Sequence, residues 1–202
     1  MKNAKPIDTP IGSYIAKYDL TLGLCARFQS SPKESYLKAA KRILRYLKGS
    51  QDLVLFYPSG DNFDLVGYAD VDYAGYLVDK KSTSGMAHFL GSCLISWGTR
   101  MQNSVALSTT EVEYVAVASC CAQLLWIKQQ LEDFGVFTVC VPLMYDNSSA
   151  LNMAKNLVHH KRTKHIDVRH YFLRDNGRRV YLHWHSQDNT STEAIAYFRA
   201  IA

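Results

Sequence analysis

Three carboxylates have the residue types and spacing to do chemistry: Asp70, Glu113 and Asp146. Asp70 follows an apolar run, Phe63 to Ala69, that reads as a strand. Asp146 follows a second such run, Pro142 to Tyr145. Glu113 falls in the first turn or so of a long helix between them. Sites in open α/β sheets collect outside the carboxyl ends of strands. If the two strands are parallel neighbours, the aspartates meet at one edge, and the helix can bring Glu113 there. Three converging carboxylates repel one another, and a hard divalent cation, magnesium or manganese, makes their ionised forms tolerable. Two such ions suit phosphodiester cleavage, because they clamp the attacking and leaving oxygens. Spacing alone leaves plainer readings open: an aspartate at a strand end forms turns, and a glutamate in a first helical turn favours the helix dipole. Glu111 competes with Glu113, and two positions apart on a helix they point to nearly opposite faces.

The positioning elements follow from pattern. Ser31-Pro32-Lys33-Glu34 is a helix start, with serine as N-cap and proline at the first helical position. Tyr36, Leu37, Ala40, Ile43, Leu44 and Leu47 then recur at helical spacing, and Gly49 ends the run. This predicts one amphipathic helix, about 32–48, with a basic outer face. Leu53 to Tyr57 reads as a short strand before the turn at Pro58. Gly85 to Leu90 and Cys93 to Trp97 form a hairpin across Gly91-Ser92. A helix from Thr109 to about Phe134, stopping at Gly135, carries no charge between Glu113 and Lys128, so most of its circumference should be buried. Helices over Asn147 to Lys155 and roughly Thr163 to Arg174, then a strand over Arg179 to His185, complete the order. A hairpin-rich first half and an alternating second half predict a mixed sheet with helices on its faces.

Composition narrows the class. The 202 residues are 48% hydrophobic and 12% aromatic, which excludes disorder. The polar start lacks an apolar signal core, and the longest apolar-rich run, Tyr114 to Ile127, falls short of the roughly 20 residues a membrane span needs. A cytoplasmic or nuclear protein, not secreted and without a signal peptide, is expected. The five cysteines include no CxxC pair, which fits free thiols in a reducing compartment. Trp97 and Trp126 read as core residues. The net charge is +5, yet it is concentrated: six Lys/Arg against one Glu from Lys33 to Lys48, and eight Lys/Arg against two Asp from Lys155 to His185. Two basic segments on an acidic remainder favour a phosphate-rich partner. His159, His160, His165 and His170 invite a zinc hypothesis, but a five-residue step turns about 140° around a helix and gives no shared face.

Several runs follow one another in a recognisable order. They are Tyr68-Ala-Asp-Val-Asp-Tyr-Ala-Gly75, Lys81-Ser-Thr-Ser-Gly85, Ile95-Ser-Trp97, Ala106-Leu-Ser-Thr-Thr-Glu-Val-Glu-Tyr114, Tyr145-Asp-Asn-Ser-Ser-Ala150 and Arg162-Thr-Lys-His-Ile-Asp-Val-Arg169. Over about residues 53–175 the chain resembles the ribonuclease H region of copia-type retrotransposon Pol polyproteins. The segment around Lys38 to Lys48 resembles the end of the reverse transcriptase just upstream. The resemblance implies an α/β, ribonuclease H-like fold, with a five-stranded mixed sheet flanked by helices and an N-terminal helical appendage. It divides the chain into a reverse transcriptase remnant, 1–50, and a ribonuclease H-like domain, 51–202, with an atypical C-terminus.

The same resemblance implies hydrolysis of the RNA strand of RNA–DNA hybrids with Mg2+ (or Mn2+), and nucleic acid and other Pol components as partners, with no membrane. By motif, Asp70, Glu113 and Asp146 match the first three acidic metal ligands, while Asp72 and Glu111 sit in the motifs without matching. Lys161, Arg162, Lys164 and Arg169 would contact phosphates. The family has a fourth aspartate in a late Ala-Asp-Ile-Phe-Thr-Lys segment, and here the chain departs. One register places Thr192 at that position, with Glu193 adjacent, and another places Tyr197. In the family the first and fourth acids hold the ion that activates water, so the resemblance implies impaired cleavage. The alternative is a non-catalytic nucleic-acid-binding or recruited interaction module.

Overall fold

A computed structural model of the chain describes residues 30, 33–49, 57, 59, 63–74, 80–103, 106, 108–147 and 167–184; at 167, 168, 170, 183 and 184 it describes the backbone alone. The elements in chain order are α1 (Glu34–Gly49), β1 (Leu65–Asp72), β2 (Thr83–Leu90), β3 (Cys93–Met101), α2 (Thr109–Asp133), β4 (Val141–Tyr145), α3 (Asp167–Asp175) and β5 (Val180–Trp184). The five strands form one sheet in the order β3-β2-β1-β4-β5. β1, β2 and β3 pair antiparallel, whereas β1–β4 and β4–β5 pair parallel. The sheet is therefore mixed, and the fold class is α/β with flanking helices.

Local chemistry explains the main joints. The β2–β3 hairpin turns at Gly91 and Ser92, and Gly91 has the positive φ of 58° that such a turn demands. α2 opens on Ser108, whose hydroxyl accepts from the Glu111 N–H at 3.3 Å, as an N-cap should. It ends at Gly135, whose φ of +81° lets the chain reverse while the Val136 N–H closes on the Leu131 carbonyl at 2.9 Å.

The core lies between the sheet and α2. Leu65, Val141, Leu143 and Val180 from the strands meet Val117, Cys120, Leu124 and Ile127 from the helix. At Gly67 helix and sheet approach closely, since a Cβ there would stand 3.0 Å from a Leu124 methyl. The first half of α2 is buried nearly all round, as its uncharged stretch predicts. After Leu124 its outer side opens to solvent, and Trp126 is exposed.

Several expectations shift. Of the strand expected over 53–57 only Tyr57 is a described residue; it is irregular, and its hydroxyl donates to the Leu94 carbonyl at 2.9 Å, while 53–56 lie outside the described residues. β1 begins at Leu65 rather than Phe63 and runs on past Asp70 to Asp72, because β2 continues pairing as far as Thr83. β3 extends to Met101. Asn147 is not helical, and the rest of the helix expected over 147–155 lies outside the described residues. Trp97 joins Trp126 at the surface, so neither is core. The α1 stripe is mostly solvent-facing: Ile43 is its buried residue, while Leu37, Leu44 and Leu47 are exposed. Cys93, Cys120, Cys121 and Cys140 are free thiols. No described helix is long and apolar enough to cross a membrane.

Candidate metal centre

The sheet register brings the two aspartates together. In the parallel β1–β4 pair, Gly67 stands opposite Leu143 and Tyr68 opposite Met144. Continuing that register up the sheet sets Asp70 level with Asp146, the residue just past β4. α2 then crosses β1, β2 and β4 with its N-terminal turn at the same edge. One carboxylate oxygen from each of Asp70, Glu113 and Asp146 falls within 4.8 Å of the others, and among the described residues this is the group of three or more ligating side chains that could hold an ion.

Burial grades the three. Glu113 is 6% exposed, Asp70 is half-buried and Asp146 is exposed. Burial, with the charges of Asp146 and Asp70 added, pushes the Glu113 carboxyl up to about 9. Burial also raises Asp70 to about 6, against a lowering hydrogen bond from the Val71 N–H at 2.7 Å; Asp146 and Asp72 push it further up. Glu113 Oε2 is buried without a hydrogen-bond partner. At neutral pH this environment keeps the Glu113 carboxyl protonated. The cluster's donor set, three hard oxygens with one buried acceptor unsatisfied, fits a divalent ion such as magnesium or manganese.

The competing residues separate cleanly. Glu111 is buried two positions away but does not belong to the cluster, as its opposite helical face predicts. Asp72 lies at the end of β1 and acts on Asp70 through its charge. Of the basic residues expected near a polyanion, Lys161, Arg162 and Lys164 lie outside the described residues. Arg169 is on α3, half-buried, with Nη1 buried and unpartnered. Its guanidinium is lowered by burial and by the neighbouring charge of Arg100. Thr192, Glu193 and Tyr197 lie outside the described residues, as do His159, His160 and His165. The fully buried His88 pairs with Cys120, Nε2 to Sγ at 3.5 Å, and burial holds its imidazole below the usual value.

Sequence pattern missed Gln102, just after β3. Its buried amide reaches both β2 and the first turn of α2. A lone glutamine in a short connection carries neither period nor charge, so no sequence signal marks it.

No family model matches the chain. It is 31% identical over 212 aligned residues to the retrovirus-related Pol polyprotein from transposon TNT 1-94 of Nicotiana tabacum, a match covering 87% of this chain and 16% of that protein. It is 38% identical over 151 residues to the retrovirus-related Pol polyprotein from transposon RE1 of Arabidopsis thaliana, covering 74% of this chain and 10% of that protein. The chain thus spans about a sixth and a tenth of these relatives. Among solved structures it is similar to an N-terminal RNase H domain from Mycobacterium tuberculosis, with 12% identity, a TM-score of 0.48, and coverage of 69% of this chain and 94% of that one. The motif order and these sequence relatives make the chain a homologue of one part of the copia-type retrotransposon Pol polyproteins.

Proposed function

We propose that the domain hydrolyses the RNA strand of RNA–DNA hybrids with divalent cations, at a rate weakened by the absence of a fourth acidic ligand. The observation that carries this reading is the convergence of Asp70, Glu113 and Asp146 within 4.8 Å from three separate elements. Asp70, Glu113 and Asp146 would hold the cation, Mg2+ or Mn2+. When bound, the metal supplies charge stabilisation for an attacking and a leaving oxygen. The residues themselves set the conditions. β1 and β4 hold the two aspartates at fixed register, and the buried Glu113 presents an acceptor oxygen with no competing protein donor. Arg169, with Lys161, Arg162 and Lys164, is the proposed contact to phosphates of the hybrid. Residues 51–202 make up the proposed hydrolase domain, and 1–50 the remnant of the upstream polymerase.

Neither Thr192 nor Tyr197 can replace an aspartate as a hard anionic ligand, and this favours a second reading: a nucleic-acid-binding or recruited interaction module without catalysis. Cleavage of a labelled RNA–DNA hybrid by the full chain, in Mg2+ and then Mn2+ beside Asp70→Asn, decides between the two. The expected result is weak cleavage with Mg2+, partial recovery with Mn2+, and none in Asp70→Asn. Hybrid binding without cleavage, even in Thr192→Asp and Tyr197→Asp, would replace the hydrolase reading with the second one.

A further inference from the structure

Three hydrogen bonds leave Gln102. Its backbone N–H donates to the Ser82 carbonyl at 2.8 Å. Its side-chain Nε2 donates to Ser84 Oγ and to the Val112 carbonyl, both at 2.9 Å. The residue is 5% exposed. A carbonyl can only accept, so Nε2 must face Val112 and the amide cannot be flipped. The consequence is that Oε1 is buried with no partner. An orphaned buried acceptor is destabilising, so the amide is held in this orientation by what its nitrogen does.

The two acceptors are placed tellingly. Val112 immediately precedes Glu113 in the first turn of α2. Ser84 is the cross-strand partner of Val71, which follows Asp70 and donates to its carboxylate. One amide therefore spans from the strand beside Asp70 to the turn that carries Glu113. These two carboxylates stand on separate elements and bring oxygens within 4.8 Å of one another, so their ionised forms repel. The Ser108 cap on this turn, at a longer 3.3 Å, lies within the helix itself and does nothing to hold the turn against the sheet.

We propose that Gln102 is a positioning residue for the carboxylate cluster: its amide sets the separation of Asp70 and Glu113 and with it the affinity for a divalent cation. The proposal rests on reading the cluster as a cation site. Without the Nε2 donor the first turn of α2 loses its tie to β2, and the carboxylates relax apart.

The test is Mn2+ titration of the full chain by calorimetry, comparing the unaltered protein, Asp70→Asn and Gln102→Met, with thermal unfolding and amide hydrogen exchange measured in parallel. Methionine keeps the length and removes the donor. The unaltered protein should bind Mn2+ and Asp70→Asn should not. Gln102→Met should bind about 10-fold more weakly, as for other groups that orient metal ligands, with faster exchange confined to the first turn of α2 and little change in Tm. Equal Mn2+ affinity in Gln102→Met and the unaltered protein overturns this proposal alone. If the unaltered protein binds no Mn2+, the cation-site reading falls and takes this one with it. Should Gln102→Met not fold, Ser84→Ala removes only the anchor on β2. It should weaken Mn2+ binding in the same direction, and an unchanged affinity there also overturns the proposal.

Discussion

The two long helices make opposite use of similar apolar spacing. α2 lies across β1, β2 and β4 and buries its first half nearly all round, so its N-terminal turn is held where Glu113 meets two aspartates. α1 makes no extensive contact with any other described element. It buries Ile43 but leaves Leu37, Leu44 and Leu47 exposed beside a basic face. Periodicity makes a helix; a facing surface makes it a support. A helix that carries a functional side chain must be the second kind, because a carboxylate is placed only as well as the packing behind it.

Substitutions can sharpen that contrast. The largest effect is expected at Leu124, which is fully buried and whose methyl would stand 3.0 Å from a Cβ at Gly67. Leu124→Ala should cost about 2–5 kcal/mol in denaturant unfolding, the range for a core leucine cavity, and a loss under about 1 kcal/mol would mean that packing on the sheet is not what holds α2.

A second test uses the cluster itself. Glu113 sits near 9 in the fold against 4.5 as a free side chain, and Asp70 near 6 against 3.8. The folded state therefore holds protons that the unfolded chain releases. In chelator, these groups stabilise fully below about pH 4, and that stability drains as pH rises through about 6 and then about 9. Tm should fall over this window, Glu113→Gln should flatten the upper part, and Mn2+ should raise Tm more at pH 8 than at pH 5. A Glu113→Gln profile parallel to that of the unaltered protein would remove Glu113 as the cause. The smallest effect is expected on α1: Leu44→Ala, at a side chain 66% exposed, should change stability by no more than about 0.5 kcal/mol. A larger loss would show that α1 has a partner surface after all.

Much of the site was legible in advance, and for a physical reason. Asp70 and Asp146 each stand where an apolar run gives way to polar residues, and Glu113 opens an uncharged helical stretch; burial needs write such transitions into composition. Helical geometry said only that Glu111 and Glu113 could not both serve the site; the motif resemblance selected Glu113. The motif order carried the family, and the relatives agree. What the pattern handled poorly were boundaries and exposure. β1 runs two residues past Asp70 because its partner β2 keeps pairing, which no local signal encodes. Trp97 and Trp126 look like core by residue type, yet the sheet edge and the outer side of α2 leave them in solvent. Lys161, Arg162, Lys164 and the late segment with Thr192, Glu193 and Tyr197 lie outside the described residues.

The sequence by itself determined which segments become helix or strand, where caps and turns fall, and which acids are available, because these depend on neighbours a few residues away. Only the tertiary structure decided that β1 and β4 pair in parallel at a register that levels Asp70 with Asp146, that α2 rather than α1 is buried, and that Gln102 ties the helix to the sheet. Those outcomes depend on contacts between residues far apart in the chain, where the competition between surfaces, not the preference of any one residue, sets the result.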